Sequence, residues 1–167
     1  VCGAWSDAGG SNFLALGSED KSVTISSSDG ATLAQFSCKG RPFRIHFAPP
    51  VTAESQSQFK SQSKSMNKSK SSESKSGDEE SAPTPTQWTV AVSTQPNSSS
   101  SNASLVLFAL DDGCTEELSL LSRYGKLVNF GWVSGTEAAV GFSSGQVVGL
   151  STQTASFGAE LFSERLH

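Results

Sequence analysis

Histidine and cysteine are scarce in this chain. Its 167 residues hold two histidines and three cysteines. Cys2, Cys38 and Cys114 lie far apart, and no Cys-x-x-Cys occurs. Together with His46 and His167 they give no metal-ligand spacing, so no metal and no cofactor is expected. The bland expectation is three reduced thiols packed as small apolar groups. No apolar run is long enough to cross a bilayer, which argues against direct membrane insertion. Twelve basic residues stand against sixteen acidic ones, a net charge of -4. The clustered basic face of a nucleic-acid binder is missing, so no nucleic-acid partner is expected. Neither a Gly-rich phosphate loop opening a helix nor a His-Glu-x-x-His is present. Gly141-Phe-Ser-Ser-Gly145 matches Gly-x-Ser-x-Gly, with Ser143 at its centre. A nucleophile elbow needs a strand before that turn and a helix after it, whereas Gln146 to Ser151 reads as a second strand. With so few histidines, a base for Ser143 is not expected either. The expected catalytic, cofactor-binding and metal residues are therefore none, and the chain is read as no enzyme.

What the sequence does have is an internal repeat. Near the start it reads Trp5, then Leu14-Ala-Leu-Gly17, Ser18-Glu-Asp-Lys-Ser22 and Val23-Thr-Ile-Ser26. Near the end it reads Trp132, then Ala139-Val-Gly-Phe142, Ser143-Ser-Gly-Gln146 and Val147-Val-Gly-Leu-Ser151. Gly17 and Val23 keep the spacing of Gly141 and Val147. Each copy sets a tryptophan strand, a small-residue strand, a polar turn and a β-branched strand in that order. That is the pattern of a β-propeller blade. The expected fold is all-β, with about three four-stranded antiparallel blades and a disordered Ser/Lys-rich insertion.

Blade one is expected to take strands Val1 to Ser6, Phe13 to Gly17, Ser22 to Ser26 and Thr32 to Ser37. Asp29-Gly30 marks its last hairpin, because glycine tolerates positive φ. Blade two is expected at Phe43 to Phe47, Trp88 to Ser93, Ser104 to Leu110 and Thr115 to Leu121. Thr115 could instead cap a short helix stopped by Gly125, but the blade order favours a strand. Blade three is expected at Leu127 to Trp132, Glu137 to Phe142, Gln146 to Ser151 and Glu160 to Arg165. The domain reading is residues 1–49 for blade one and the first strand of blade two, and 50–86 for a low-complexity insertion. Residues 87–126 then hold the rest of blade two, with a polar loop at 95–103, and 127–167 hold blade three.

The insertion from Thr52 to Thr86 is expected to be disordered and removable. Its only large apolar residues are Phe59 and Met66, so it cannot bury enough surface to offset ordering entropy. Ser76-Gly-Asp-Glu79 would suit an acid-directed kinase, though Ser/Glu-rich text offers such matches by chance. The sequons at Asn67, Asn97 and Asn102 carry no weight for the same reason. Trp5 and Trp132 are expected to pack between blades. Ser18-Glu19-Asp20-Lys21 reads as a solvated hairpin tip or a contact on the loop face. Arg41 and Arg44 could hold a phosphate or acidic partner, but ordinary surface cations are the commoner case. Three blades do not close a ring, so the chain, which starts at Val1 inside a strand, is expected to be an excerpt. Phe13, Leu14, Leu16, Val23, Ile25 and Leu33 are expected to lose cover on one side. Trp132, Val140, Phe142, Val147 and Leu150 are expected to lose it on the other, leaving an oligomeric, poorly soluble or marginally folded unit.

The run Phe13-Leu-Ala-Leu-Gly-Ser-Glu-Asp-Lys-Ser-Val-Thr-Ile-Ser-Ser-Ser-Asp-Gly30 resembles a blade of the WD-repeat β-propeller subunits of intraflagellar transport complex A. Val140-Gly-Phe-Ser-Ser-Gly-Gln-Val-Val-Gly-Leu-Ser-Thr-Gln-Thr154, continued by Gly158-Ala-Glu-Leu-Phe162, is similar to a later blade, and Leu127 to Trp132 fits its first strand. The Gly-His and Trp-Asp dipeptides of well-formed WD repeats are absent. Strand three ends Ile25-Ser26 and Leu150-Ser151, so the usual polar network cannot form and apolar packing must hold the blades. The resemblance implies a non-catalytic scaffold working in retrograde transport, ciliary cargo entry and cilium assembly. Its implied partners are other protein subunits of that complex and ciliary cargo adaptors. Its implied location is the cytoplasm, the cilium or flagellum and the basal body. The alternative is a WD-repeat adaptor or vesicle-coat propeller outside the cilium.

Overall fold

A computed structural model describes residues 1–6, 12–49, 88–96 and 102–166. The insertion and the sequons at Asn67 and Asn97 lie outside these residues, as does His167. The described part contains three four-stranded antiparallel sheets, each in sequence order. Blade one is β1 (Cys2–Ser6), β2 (Phe13–Gly17), β3 (Ser22–Ser27) and β4 (Thr32–Ser37). Blade two is β5 (Arg41–Phe47), β6 (Val90–Gln95), β7 (Ser104–Phe108) and β8 (Thr115–Ser119). Blade three is β9 (Leu127–Ser134), β10 (Glu137–Phe142), β11 (Gln146–Ser151) and β12 (Glu160–Arg165). The first strands meet from blade to blade, β1 with β5 and β5 with β9, as the inner strands of a propeller do, and β2 also reaches β5.

Local chemistry sets the strand ends. Gly30 and Gly113 sit at φ +87° and +70° in the hairpins after β3 and β7, conformations that side chains with a Cβ rarely adopt. Asp112 supports the second by accepting the Cys114 N–H at 2.8 Å. Thr115–Ser119 is a strand, as the blade order requires. The helical tendency of the neighbouring text survives only as a 3₁₀ turn at Ser122–Tyr124, stopped by Gly125 at φ +93°. Strand β5 begins at Arg41, earlier than the alternation of Phe43, Ile45 and Phe47 indicated, because Pro42 sits at a register shift and pairs with Thr94.

Two apolar clusters hold the sheets together, one at each junction. Ala15, Val23 and Ile25 of blade one face Val90, Val92, Val106 and Phe108 of blade two. Ala91, Leu105 and Leu107 of blade two face Phe130, Ala138, Val140, Val148 and Leu150 of blade three. Consecutive residues of β6 and β7 therefore serve opposite neighbours, as period-two side-chain alternation demands. Phe36 stacks on Phe108 across the first junction at 4.5 Å between centroids.

This arrangement corrects the expected sets of uncovered residues. Val23 and Ile25 are fully buried against blade two, and Val140, Phe142 and Leu150 are buried in the second cluster. The expectation merged the two faces of a strand. Among the described residues, only one face of each end blade lacks a neighbour, and Leu16 and Leu33 at 46% and 44% exposure lie on the open face of blade one.

Candidate functional site

Among the described residues, no group of three His, Cys, Asp or Glu side chains could hold a metal. No helix of the described residues is long and apolar enough to cross a membrane. Ser143 lies in a turn between β10 and β11, with a strand on each side, and its Oγ accepts the Lys126 N–H at 3.0 Å. The helix that an elbow needs is replaced by β11.

Two tryptophan N–H groups bridge the second junction in opposite senses. Trp132 Nε1 of blade three donates to the His46 carbonyl of blade two at 3.3 Å. Trp88 Nε1, just before β6, donates to the Thr152 carbonyl beyond β11 at 2.5 Å. Trp132 thus packs between blades as its repeat position suggested. Trp5 does not: it is 57% exposed, because no sheet of the described residues covers that face of β1. Register shows a further equivalence that sequence reading missed. Trp5 pairs with Leu14, Phe47 with Val90 and Trp132 with Ala138, so one position of the innermost strand is aromatic in all three blades. Phe47 was hidden because the insertion separates it from its own β6. Its ring lies 6.4 Å from Phe13 of the preceding blade.

His46 sits at this junction, its ring edge-on to Phe130 at 4.8 Å. Burial, and then the nearby Arg44 charge, hold its pKa below the ordinary imidazole value. The unfolded chain therefore takes up the proton first as pH falls, and stability declines from about pH 6.5 down to the lower folded value. Below that value the contribution is already lost. His46→Gln is expected to flatten this part of the melting temperature against pH curve, read by circular dichroism between about pH 7 and about pH 5. An unchanged slope would count against it.

The hairpin tip at Ser18–Lys21 is ordered by its own side chains. Asp20 accepts from the Ser22 N–H at 3.0 Å and from its hydroxyl at 2.6 Å, which lowers the carboxyl pKa. Glu19 takes Arg41 at 2.5 Å, tying the hairpin tip of blade one to β5, and Lys39, in the connection between the two blades, reaches Glu117 of β8 at 2.8 Å. Exposed pairs of this kind add little stability. The guanidinium of Arg44 lies 5.3 Å from the centre of the Phe43 ring. The two candidate arginines are thus engaged with different neighbours. All three cysteines are free thiols. Burial, then Glu117 and Cys2, push the Cys38 thiol up to about 12, which keeps it unreactive at neutral pH.

One cleft of about 610 Å³ opens between blades two and three, lined by Gln95, Leu120, Ser122, Lys126, Phe142 and Ser143. The connection from β8 to β9, which is longer than that from β4 to β5 and carries the 3₁₀ turn, contributes Leu120, Ser122, Gly125 and Lys126 to its wall. Its lining offers one ammonium group, hydroxyls, two carboxamides and apolar carbon.

No family model matches the chain. Curated proteins and solved structures do show relatives. The mouse protein named WD repeat-containing protein 19 is 28% identical over 171 residues, covering the whole of this chain. The human protein of that name is 24% identical over 175 residues, again across the whole chain. The chain is a β-propeller fragment that resembles WD repeat-containing protein 19. It spans 10% of the length of these two relatives. The crystal structure of the Cps50 (Swd1) β-propeller domain of Myceliophteria thermophila matches 99% of the chain and 42% of that domain, with a TM-score of 0.56 and 12% identity. That likeness shows the fold alone. Similarity to WD repeat-containing protein 19 runs through all three blades.

Proposed function

We propose that this chain is a non-catalytic protein-interaction module of a ciliary intraflagellar transport complex A subunit. The observation that carries the reading is the likeness to WD repeat-containing protein 19 along the entire chain. Propeller blades offer loops and clefts to other proteins and need no chemistry of their own. Its partners are then other subunits of that complex and ciliary cargo adaptors. Its place is the cytoplasm, the basal body and the cilium or flagellum, where it serves retrograde transport and cilium assembly. The domain reading goes with it: blades at both ends of the chain, and residues 50–86 a low-complexity insertion. Affinity purification of the tagged full-length protein from ciliated cells tests the reading. Co-purifying transport-complex subunits are the expected result. Recovery of ubiquitin-ligase or vesicle-coat subunits in their place would move the protein to the adaptor or coat class.

A further inference from the structure

The cleft between blades two and three has a wall that is tied down from several sides. The Ser144 hydroxyl donates to the Tyr124 carbonyl at 2.6 Å, and the Lys126 N–H donates to Ser143 Oγ at 3.0 Å. The Tyr124 ring packs on Phe142 with 5.3 Å between centroids, and its hydroxyl donates to Glu160 at 3.0 Å. Arg123 donates to the same carboxylate at 2.7 Å. Leu120 and Phe142, each 6% exposed, give the cleft an apolar base. Lys126 lines it and is exposed. Among the described residues, no carboxylate lines the cleft and none pairs with the Lys126 ammonium. We propose that this cleft binds an extended segment of a partner protein, which sets an Asp or Glu carboxylate on Lys126 and an apolar side chain, two positions along, over Leu120 and Phe142.

Charge decides the kind of partner. The chain as a whole is acidic, at -4, yet the cleft shows only a cation. Lys39, Arg41 and Arg123 each meet a carboxylate within 2.8 Å, whereas Lys126 does not. An ammonium beside apolar carbon attracts an anion more strongly than one in open water, because less water screens it. With Arg123 held by Glu160, the cleft lacks the guanidinium fork that a phosphate group takes, so a carboxylate is the better match. The hydroxyls suit a main chain. Ser143 Oγ accepts from Lys126 and keeps its own O–H to donate. Ser122 and Gln95, both exposed, offer further donors and acceptors to peptide groups. Side chains two apart on an extended strand point the same way, so the acid and the apolar residue enter the cleft together. The volume of about 610 Å³ lies within the roughly 300–1,000 Å³ of ligand-binding clefts. A wall already fixed by its own hydrogen bonds loses little freedom when the segment binds. The site serves whichever assembly the protein joins, so a failed peptide test leaves the ciliary reading standing, and the reverse.

Fluorescence polarisation on the full-length protein tests this with two labelled peptide pools. One pool carries Glu-x-Leu at its centre and the other Lys-x-Leu, with the remaining positions randomised alike. The Glu pool is expected to bind at least about tenfold more tightly, the size of one charge-assisted hydrogen bond. Lys126→Glu is expected to reverse the preference, and Lys126→Gln, which keeps most of the stem, to abolish it. Ser122→Trp fills the cleft from an exposed position and is expected to remove binding of the Glu pool. Thermal melts of the three variants check that each is folded, and any one that folds suffices for the test. Equal binding of the two pools overturns the proposal, as does a preference that survives the Lys126 changes or binding that survives Ser122→Trp. Self-association of the protein that Lys126→Glu dissolves would make a second copy the occupant, and binding of the Glu pool only after residues 52–86 are deleted would make the insertion the occupant. Either result also overturns it.

Discussion

Trp88→Ala is expected to be among the most damaging single changes in this chain. The side chain is 4% exposed and belongs to the cluster between blades two and three. Truncating a buried aromatic costs about 3–5 kcal/mol, through lost transfer energy and the cavity left behind. The change also removes the donor from the Thr152 carbonyl, and the Phe157 ring loses its partner at 6.3 Å. An orphaned buried acceptor adds about 1–3 kcal/mol unless water reaches it. For a protein domain of ordinary stability this is a large share of the total. Denaturant unfolding of the purified protein measures it. Trp88→Phe is expected to recover part of the packing but not the hydrogen bond. A loss below about 1 kcal/mol for Trp88→Ala would mean that the second junction is not held as described.

The second large effect separates two glycines that the repeat makes equivalent. An added Cβ at Gly17 would lie 2.7 Å from Pro42 Cβ, 2.8 Å from Cys2 Sγ and 3.3 Å from Ile45 Cδ1. Pro42 and Ile45 belong to β5, so the clash falls on the junction of blades one and two. Proline on a strand cannot move aside cheaply. Gly17→Ala is therefore expected to cost about 1–3 kcal/mol, the usual range for overpacking. At Gly141 the nearest atom is the Asn129 oxygen at 3.7 Å, an ordinary contact. Gly141→Ala is expected to be neutral or to stabilise by up to about 1 kcal/mol, because alanine loses less freedom on folding than glycine. Thermal melts of the two variants side by side decide the matter. Equal effects at the two positions would contradict the packing described.

Much of the fold was legible in the text. Strand alternation, Asp-Gly hairpins and the repeated spacing placed β2, β4, β10, β11 and β12 at their observed bounds. Boundaries drifted in blade two. Trp88 precedes the strand expected to start there, and the apolar Ala109 and Leu110 run past the end of β7. There both faces are buried, so apolar residues run on without alternation and the pattern no longer marks an end. The candidate sites were less legible. The sequence could propose Trp5 and Trp132 as equals, but exposure of the first and the carbonyl contact of the second depend on which sheet lies next to each.

What the chain determines by itself is local: which residues extend, where glycine turns the backbone, and that one innermost-strand position repeats as Trp5 and Trp132. Phe47 joins that set only through strand pairing across the insertion. Tertiary structure decided the rest. It sent Val23 and Ile25 inward and Leu16 outward, crowded Gly17 against Pro42 while leaving space at Gly141, and placed His46 beside Phe130. The reason is that a strand's sequence fixes which residues share a face but not which face finds a neighbour. That choice belongs to the packing of one blade on the next.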